Sequence, residues 1–148
     1  MINLFCSHSR IRTRKISIDI QADPPSLLER DFILDQDKIL QLLLNILINA
    51  INASPENSAI EISLRQETTH SGTFLVIVFR DHGPGIPPEI LDQIFTPYFT
   101  TRAEGTGLGL ALAKNIAESH HGSITATNAI DEGAIFKILL PVGDHASD

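Results

Sequence analysis

Residues 35–54 read DQDKILQLLLNILINAINAS, an apolar run broken at Gln41, Asn45, Asn49 and Asn52. Asp35 suits the N-cap of a helix and Pro55 cannot continue one, so the stretch from about Gln36 to Ala53 predicts a helix. At about 100° per residue the four carboxamides share a sector of roughly 80°. The remaining surface is apolar nearly all round, which normally means burial. Carboxamides on a buried helix are costly unless their oxygens and amide protons meet partners. Two answers stay open on this stretch alone: a polar network tying the helix to neighbouring loops, or a bound ligand or metal.

Working outward, residues 11–21 alternate, with Ile16, Ile18 and Ile20 on one face and Ser17 and Asp19 on the other, the period of a half-buried strand. After the helix, Ala59 to Leu64 and Thr73 to Phe79 read as an antiparallel pair joined by a polar loop, Gln66 to Gly72. Pro87 and Pro88 suit the first turn of a short helix ending near Phe95. From Gly107 to about His120 the pattern is helical, with Leu108, Leu112 and Ile116 at four-residue steps. Two last strands, Ser123 to Asn128 and Ala134 to Val142, flank a turn at Asp131, Glu132 and Gly133. Helices that separate hairpins rather than single strands predict an α+β fold, a two-layer domain with a largely antiparallel sheet and helices on one face. The expected organisation is residues 1–10 as disordered or foreign to the natural chain, one domain over 11–142, and a tail over 143–148.

Composition narrows the function. A chain of 148 residues with 43% hydrophobic content buries roughly 70% of its unfolded surface without staples. Cys6 is the only cysteine, which rules out an intrachain disulfide and fits a reducing compartment. A net charge of -7 weighs against nucleic acid, and the basic run Arg10, Arg12, Arg14 and Lys15 reads as a solvated strand face. No stretch has the length of a membrane span or a secretory signal, so no direct membrane contact is expected of this segment.

Two further motifs carry chemistry. Asp81-His82-Gly83-Pro84-Gly85 follows an apolar strand. A carboxylate fixed there can accept from the exocyclic amine of adenine and reject guanine, with Gly83 and Gly85 letting the backbone approach a flat base; the alternative is an ordinary turn in which Asp caps its own backbone. Gly105-Thr106-Gly107-Leu108-Gly109-Leu110 leads straight into a helix, where free backbone amides and the helix dipole favour a phosphate. It is neither a Rossmann fingerprint nor a Walker A loop. Magnesium, a hard ion shared between oxygen ligands and phosphates, would suit the carboxamide stripe. In order, the three motifs describe metal, base and phosphate contacts of an ATP site.

With these residues in view, the chain from about Ile16 to Val142 resembles the catalytic ATP-binding domain of sensor histidine kinases, within the superfamily that includes gyrase, Hsp90 and MutL. Asp37 to Ser54 is similar to the family's N box, Asp81 to Gly85 to G1, Phe95 to Arg102 to the F box, and Gly105 to Leu110 to G2. The resemblance implies a Bergerat-type α/β sandwich with the nucleotide between the N-box helix and a short lid, about Thr96 to Gly105. Carried over by position, it implies that Asn49 binds Mg²⁺ with Asn45 supporting it or contacting phosphate through water. Asn52 lies beside them, Asp81 reads adenine, and Gly83, Gly85 and Ile86 line the base. Thr101, Gly105 and Thr106 fall to the lid and phosphate region, and Gly107, Leu108, Gly109 and Leu110 to the phosphates at the helix start. Arg102 either reaches the γ-phosphate or is a solvated lid charge.

Two departures qualify the match. Asn52 stands where many members carry a basic residue. Asn45 stands where hydrolytic members and the serine kinases among them place a Glu base, and a carboxamide cannot take a proton. The pattern around Asn49 and Pro97 to Arg102 is similar to the nitrogen-regulation type of sensor kinase. None of the six histidines, His8, His70, His82, His120, His121 and His145, has the setting of a phosphoacceptor. The resemblance therefore implies a catalytic half that binds Mg-ATP and donates the γ-phosphoryl group to a histidine on a separate dimerisation domain, with a response regulator downstream, in the cytoplasm, including as the cytoplasmic part of a membrane-bound sensor. The alternatives are a noncatalytic nucleotide-sensing module and a serine kinase or ATPase of the same superfamily.

Overall fold

The computed structural model describes residues 15–102 and 105–143. The expectations for residues 1–10, for the first strand and basic run before Lys15, for lid residues 103 and 104 and for the tail from 144 lie outside the described residues.

Helix α1 spans Gln36–Ala53, capped at its start by Asp35, whose side chain accepts the Lys38 N–H at 3.2 Å. At its end the Ser54 hydroxyl donates to the Ala50 carbonyl at 2.7 Å, satisfying one of the last-turn acceptors before Pro55. Ile39, Leu42, Ile46, Leu47 and Ala50 form its buried face. Helix α2, Gly109–Ser119, buries Ala111, Ala113, Ile116 and Ala117, and its small residues let it lie close along α1.

The two helices cover one face of a five-stranded sheet in the order β1 (Ser17–Asp23), β2 (Ala59–Thr69), β3 (Gly72–Arg80), β5 (Ala134–Pro141), β4 (Ser123–Asn128). β1 and β2 are parallel because α1 carries the chain back between them; every other pair is antiparallel. The register puts Ile18 beside Ile60, Ile62 beside Phe79, Leu64 beside Ile77, Ile77 beside Ile138 and Phe79 beside Phe136. With a period of two these residues share one face, and with α1 and α2 they make a single core. Phe95 closes it edge-on against Phe136, ring centroids 6.3 Å apart at 84°. This is a two-layer α+β sandwich with a mixed, mostly antiparallel sheet.

The first strand runs on to Asp23 and the last ends at Pro141, one residue short, and three further boundaries move for reasons visible in the structure. The loop expected over Gln66 to Gly72 is strand on both sides of a two-residue turn, His70 and Ser71. The added residues are polar, Arg65 bonding Glu67 along β2 at 2.7 Å and the Thr68 and Thr73 hydroxyls meeting across the pair at 3.2 Å, which an apolar period does not register. The short helix expected to end near Phe95 is a 3-10 turn at Pro88–Ile90 continued by i to i+3 bonds, Gln93 N–H to the Ile90 carbonyl and Thr96 N–H to the Gln93 carbonyl. The helix expected from Gly107 starts at Gly109, since Gly107 has φ +71°.

Ile46 is fully buried in the centre of α1, whereas Ile48 is 54% exposed. Ile46→Ala is expected to lower the unfolding free energy by about 3 kcal/mol in urea titrations, and Ile48→Ala by less than about 1 kcal/mol.

Candidate functional site

Segments far apart in sequence line one cleft of about 870 Å³ between the end of α1, the turn after β3, the β4–β5 pair and the chain leading into α2. Asn45, Asn49 and Asn52 reach it from α1, and Asp81, Gly85 and Ile86 from the turn. Thr101, Arg102, Gly105 and Thr106 reach it from the expected lid, and Gly107, Gly109 and Leu110 from the entry to α2. Gly83 and Leu108 do not line it. A Cβ on Gly83 would run into the Ala53 carbonyl, so this glycine lets the turn lie against the end of α1.

Asp81 is 2% exposed at the end of β3. Both hydrogen bonds found on its carboxylate fall on Oδ1, from Gly83 N–H at 2.9 Å and Ala134 N–H at 3.1 Å. The self-capping turn and the ligand-reading carboxylate are thus compatible: Oδ1 holds the turn and the β5 start together, and Oδ2 is left to accept from a ligand.

Asn45 is placed differently. Its Nδ2 is buried without a hydrogen-bond partner among the described residues, and its Oδ1 lies beside Gly109, where a Cβ would come within 3.8 Å. A polar network internal to the chain would satisfy that donor, since leaving it unpaired costs about 1–3 kcal/mol. Asn52 does have a partner. The carboxamide oxygens of Asn45 and Asn49 are hard donors of the kind Mg²⁺ takes, and they share the cleft with the start of α2. Among the described residues no three His, Cys, Asp or Glu side chains gather in a way that could hold a metal ion.

At α2 the N-cap, Leu108, offers no side-chain bond, so the first-turn N–H groups have no acceptor within the helix. Gly109 and Leu110 bring that end onto the cleft, which makes it a place for an anion. Gly107 pins the preceding segment: its carbonyl accepts Tyr98 N–H at 2.9 Å, and a Cβ on it would strike the Tyr98 backbone. Tyr98 itself sits at φ +66° and is 77% exposed. The Thr100 hydroxyl accepts Arg102 N–H at 3.0 Å, shaping the turn that brings Arg102 to the cleft, and the Arg102 guanidinium pairs with none of the described carboxylates.

Outside the cleft, exposed side-chain pairs lie beside the turn. Arg80 donates to Asp131 at 2.6 Å, and His82 lies 3.7 Å from Glu61 and 3.8 Å from Glu132. Backbone N–H groups of Glu132 and of Asp131 itself, with Arg80, hold the Asp131 carboxyl below the usual range. Residues not singled out from the sequence also line the cleft: Asn128 from the end of β4, Ile48 from α1, and Ile90, Ile94 and Phe136, which form its apolar wall with Phe99 of the F box. The four-residue step from Ile90 to Ile94 was a readable apolar signal; Asn128 had none.

The family model described as "Histidine kinase-, DNA gyrase B-, and HSP90-like ATPase" matches residues 34–144. The sensor histidine kinase ZraS of Salmonella typhimurium is 48% identical over 109 residues, 73% of this chain and 23% of that protein. The signal transduction histidine-protein kinase AtoS of Escherichia coli K12 is 41% identical over 113 residues, 76% of this chain and 18% of that one. The chain thus spans between about a fifth and a third of the length of these curated relatives. Among solved structures, the catalytic domain of the histidine kinase ThkA in a nucleotide-free form superposes with a TM-score of 0.71 at 33% identity, covering 88% of this chain and 83% of that one. The mycobacterial sensor histidine kinase MprB gives 0.73 at 26%, covering 96% and 92%.

Gly107→Ala is expected to cost at least about 1 kcal/mol from its left-handed φ alone. It should also break the contact with Tyr98, read as faster amide exchange at Tyr98 while the central strands keep their protection.

Proposed function

Since the chain belongs to the histidine kinase-, DNA gyrase B- and HSP90-like ATPases, as the ATP-binding catalytic domain of a sensor kinase, we propose that it binds Mg-ATP and presents the γ-phosphoryl group to a histidine on a separate dimerisation domain. The observation that carries this reading is the convergence in one cleft of Asp81, with Oδ2 left to a ligand, and the uncapped start of α2. An acceptor carboxylate suits the adenine amine, and helix-end amides suit phosphate oxygens.

Asn49 would hold Mg²⁺, with Asn45 supporting it through its carbonyl or contacting phosphate through its unpaired amide. When bound, the ion neutralises charge on the phosphate oxygens. Gly107, Gly109 and Leu110 cradle the phosphates, with Gly105, Thr106 and Thr101 beside them, and Arg102 is free to meet the γ-phosphate. Asp81 and Arg102 are the charged side chains among the described lining residues. Asp81 is committed through Oδ1 and Asn45 cannot take a proton, so the cleft supports transfer to an external nucleophile better than activation of water. No described histidine lines the cleft. The acceptor therefore comes from a partner, the dimerisation domain, with a response regulator receiving the group from it in the cytoplasm. Tyr98, exposed beside Gly107, is the F-box aromatic best placed to meet that partner, because Phe95 packs on Phe136 and Phe99 lines the cleft.

Calorimetric titration is expected to show magnesium-sensitive binding of ATP and not of GTP, with no γ-phosphate incorporated into the chain until a histidine-bearing dimerisation domain is added. Binding of neither nucleotide would sink the reading, and self-labelling would redirect it. Asp81→Asn keeps an oxygen for the Gly83 and Ala134 amides but replaces the ligand acceptor with a donor. It should leave the melting midpoint nearly unchanged and weaken ATP at least about tenfold, or 1.4 kcal/mol. Asn45→Glu, by supplying a base, is expected to raise ATP hydrolysis above the wild-type level in a phosphate-release assay.

A further inference from the structure

We propose that Asn128 is a positioning residue for the nucleotide base, acting through the backbone of Ile86. Asn128 is the last residue of β4 and stands opposite Ala134 of β5, the residue whose N–H is held by Asp81. Its carboxamide closes a ring of two hydrogen bonds: Oδ1 accepts the Ile86 N–H at 2.8 Å, and Nδ2 donates to the Ile86 carbonyl at 2.7 Å. An antiparallel strand gives a residue this double pairing through its own main chain. Here a side chain supplies it to a residue 42 positions away that belongs to no strand.

The placement matters because the turn has few other anchors. β3 ends at Arg80 and the next regular element starts at Pro88. Between them, the hydrogen bonds found on the main chain of residues 82–87 run to Asp81 Oδ1 from Gly83, to Asn128 from Ile86, and from Ile90 N–H to the Pro87 carbonyl. The neighbouring contacts of Arg80 and His82 run to carboxylates more than half exposed, and such surface contacts hold little. Asn128 also seats against Gly85, where a Cβ would lie 2.9 Å from its Oδ1 at φ +80°. Gly85, Ile86 and Asn128 all face the cleft that contains Asp81. Asp81 therefore fixes one end of the turn and Asn128 the other, and the wall they hold is preformed. Without Asn128 that wall must be ordered by the ligand, and preorganisation lost at a site appears as affinity lost.

This inference rests on the adenine-nucleotide reading above, and it can fail while that reading stands. The experiment uses the purified chain with Asn128→Ala, Asn128→Asp and Asn128→Ser, amide exchange without ligand, and calorimetry with ATP and ADP. Ile86 is expected to exchange at least about tenfold faster in Asn128→Ala, with the strand amides unchanged and the melting midpoint nearly so. ATP and ADP should weaken by the same factor, about tenfold, because the loss is at the base end. Asn128→Asp should be no better than Asn128→Ala, since it loses the donor and sets an oxygen against the Ile86 carbonyl; Asn128→Ser, which keeps one short polar group, should fall between Ala and wild type. Unchanged Ile86 exchange, unchanged affinity in a folded Asn128→Ala, or a loss for ATP without one for ADP would overturn the proposal. So would a collapse of the melting transition in all three variants, which would assign Asn128 to the fold. If the unmodified chain bound neither nucleotide, the functional reading would fall and the base-positioning role with it, whatever Ile86 exchange showed.

Discussion

A carboxylate with 2% of its surface exposed must be met by donors, and Asp81 meets two backbone amides that belong to different parts of the chain. Gly83 closes the turn that follows β3, and Ala134 opens β5. One oxygen atom therefore sets the angle at which the turn leaves the sheet and locks the start of the neighbouring strand. The rest of the cleft is referred to this point. The end of α1 lies against the turn at Gly83, β5 supplies Phe136 to the floor, and Phe95 rests on Phe136 and carries the chain toward Tyr98 and Gly107. The other carboxylate oxygen keeps its acceptor capacity because the first does all the structural bonding.

The cleft is sparing with charge. One carboxylate and one guanidinium are the charged side chains among its described lining residues, and the remaining polar groups are carboxamides, hydroxyls and main-chain amides. Such a surface recognises a highly charged ligand through dipoles rather than by full neutralisation, which leaves room for a cation that the ligand brings with it. The described lining residues carry no net charge, so their surface is less repulsive to an anion than the chain's net charge of -7 suggests.

The parts of the architecture that were legible in the sequence are those written locally. Asp35 and Pro55 bracket α1, and the observed helix, Gln36–Ala53, has the expected limits; β4, Ser123–Asn128, likewise ends where its alternation ends. The hairpin tip is not legible in the apolar pattern because Gln66, Glu67, Thr68 and Thr69 are polar residues that extend β2 by main-chain pairing with β3, with a side-chain pair, Thr68 and Thr73, across it. Gly83 was expected beside a base for its freedom of backbone and instead provides room for the Ala53 carbonyl, a contact between elements far apart in sequence. Asn128 was invisible for the same reason. A single asparagine ending a strand looks like any turn residue, and its partner at Ile86 is fixed only when β4 takes its place in the sheet.

β4 is six residues long and, among the described residues, an edge strand paired on one side only. Edge strands open at a lower free energy than the central strands they border, so excursions at the end of β4 can leave the pairing of β2, β3 and β5 intact. Because the carboxamide that holds Ile86 is the last side chain of that strand, each such excursion releases the wall of the cleft as well. On warming, the cleft is thus set to lose its shape before the sheet loses its pairing, and the temperature range over which the chain is folded is wider than the range over which its cleft is formed.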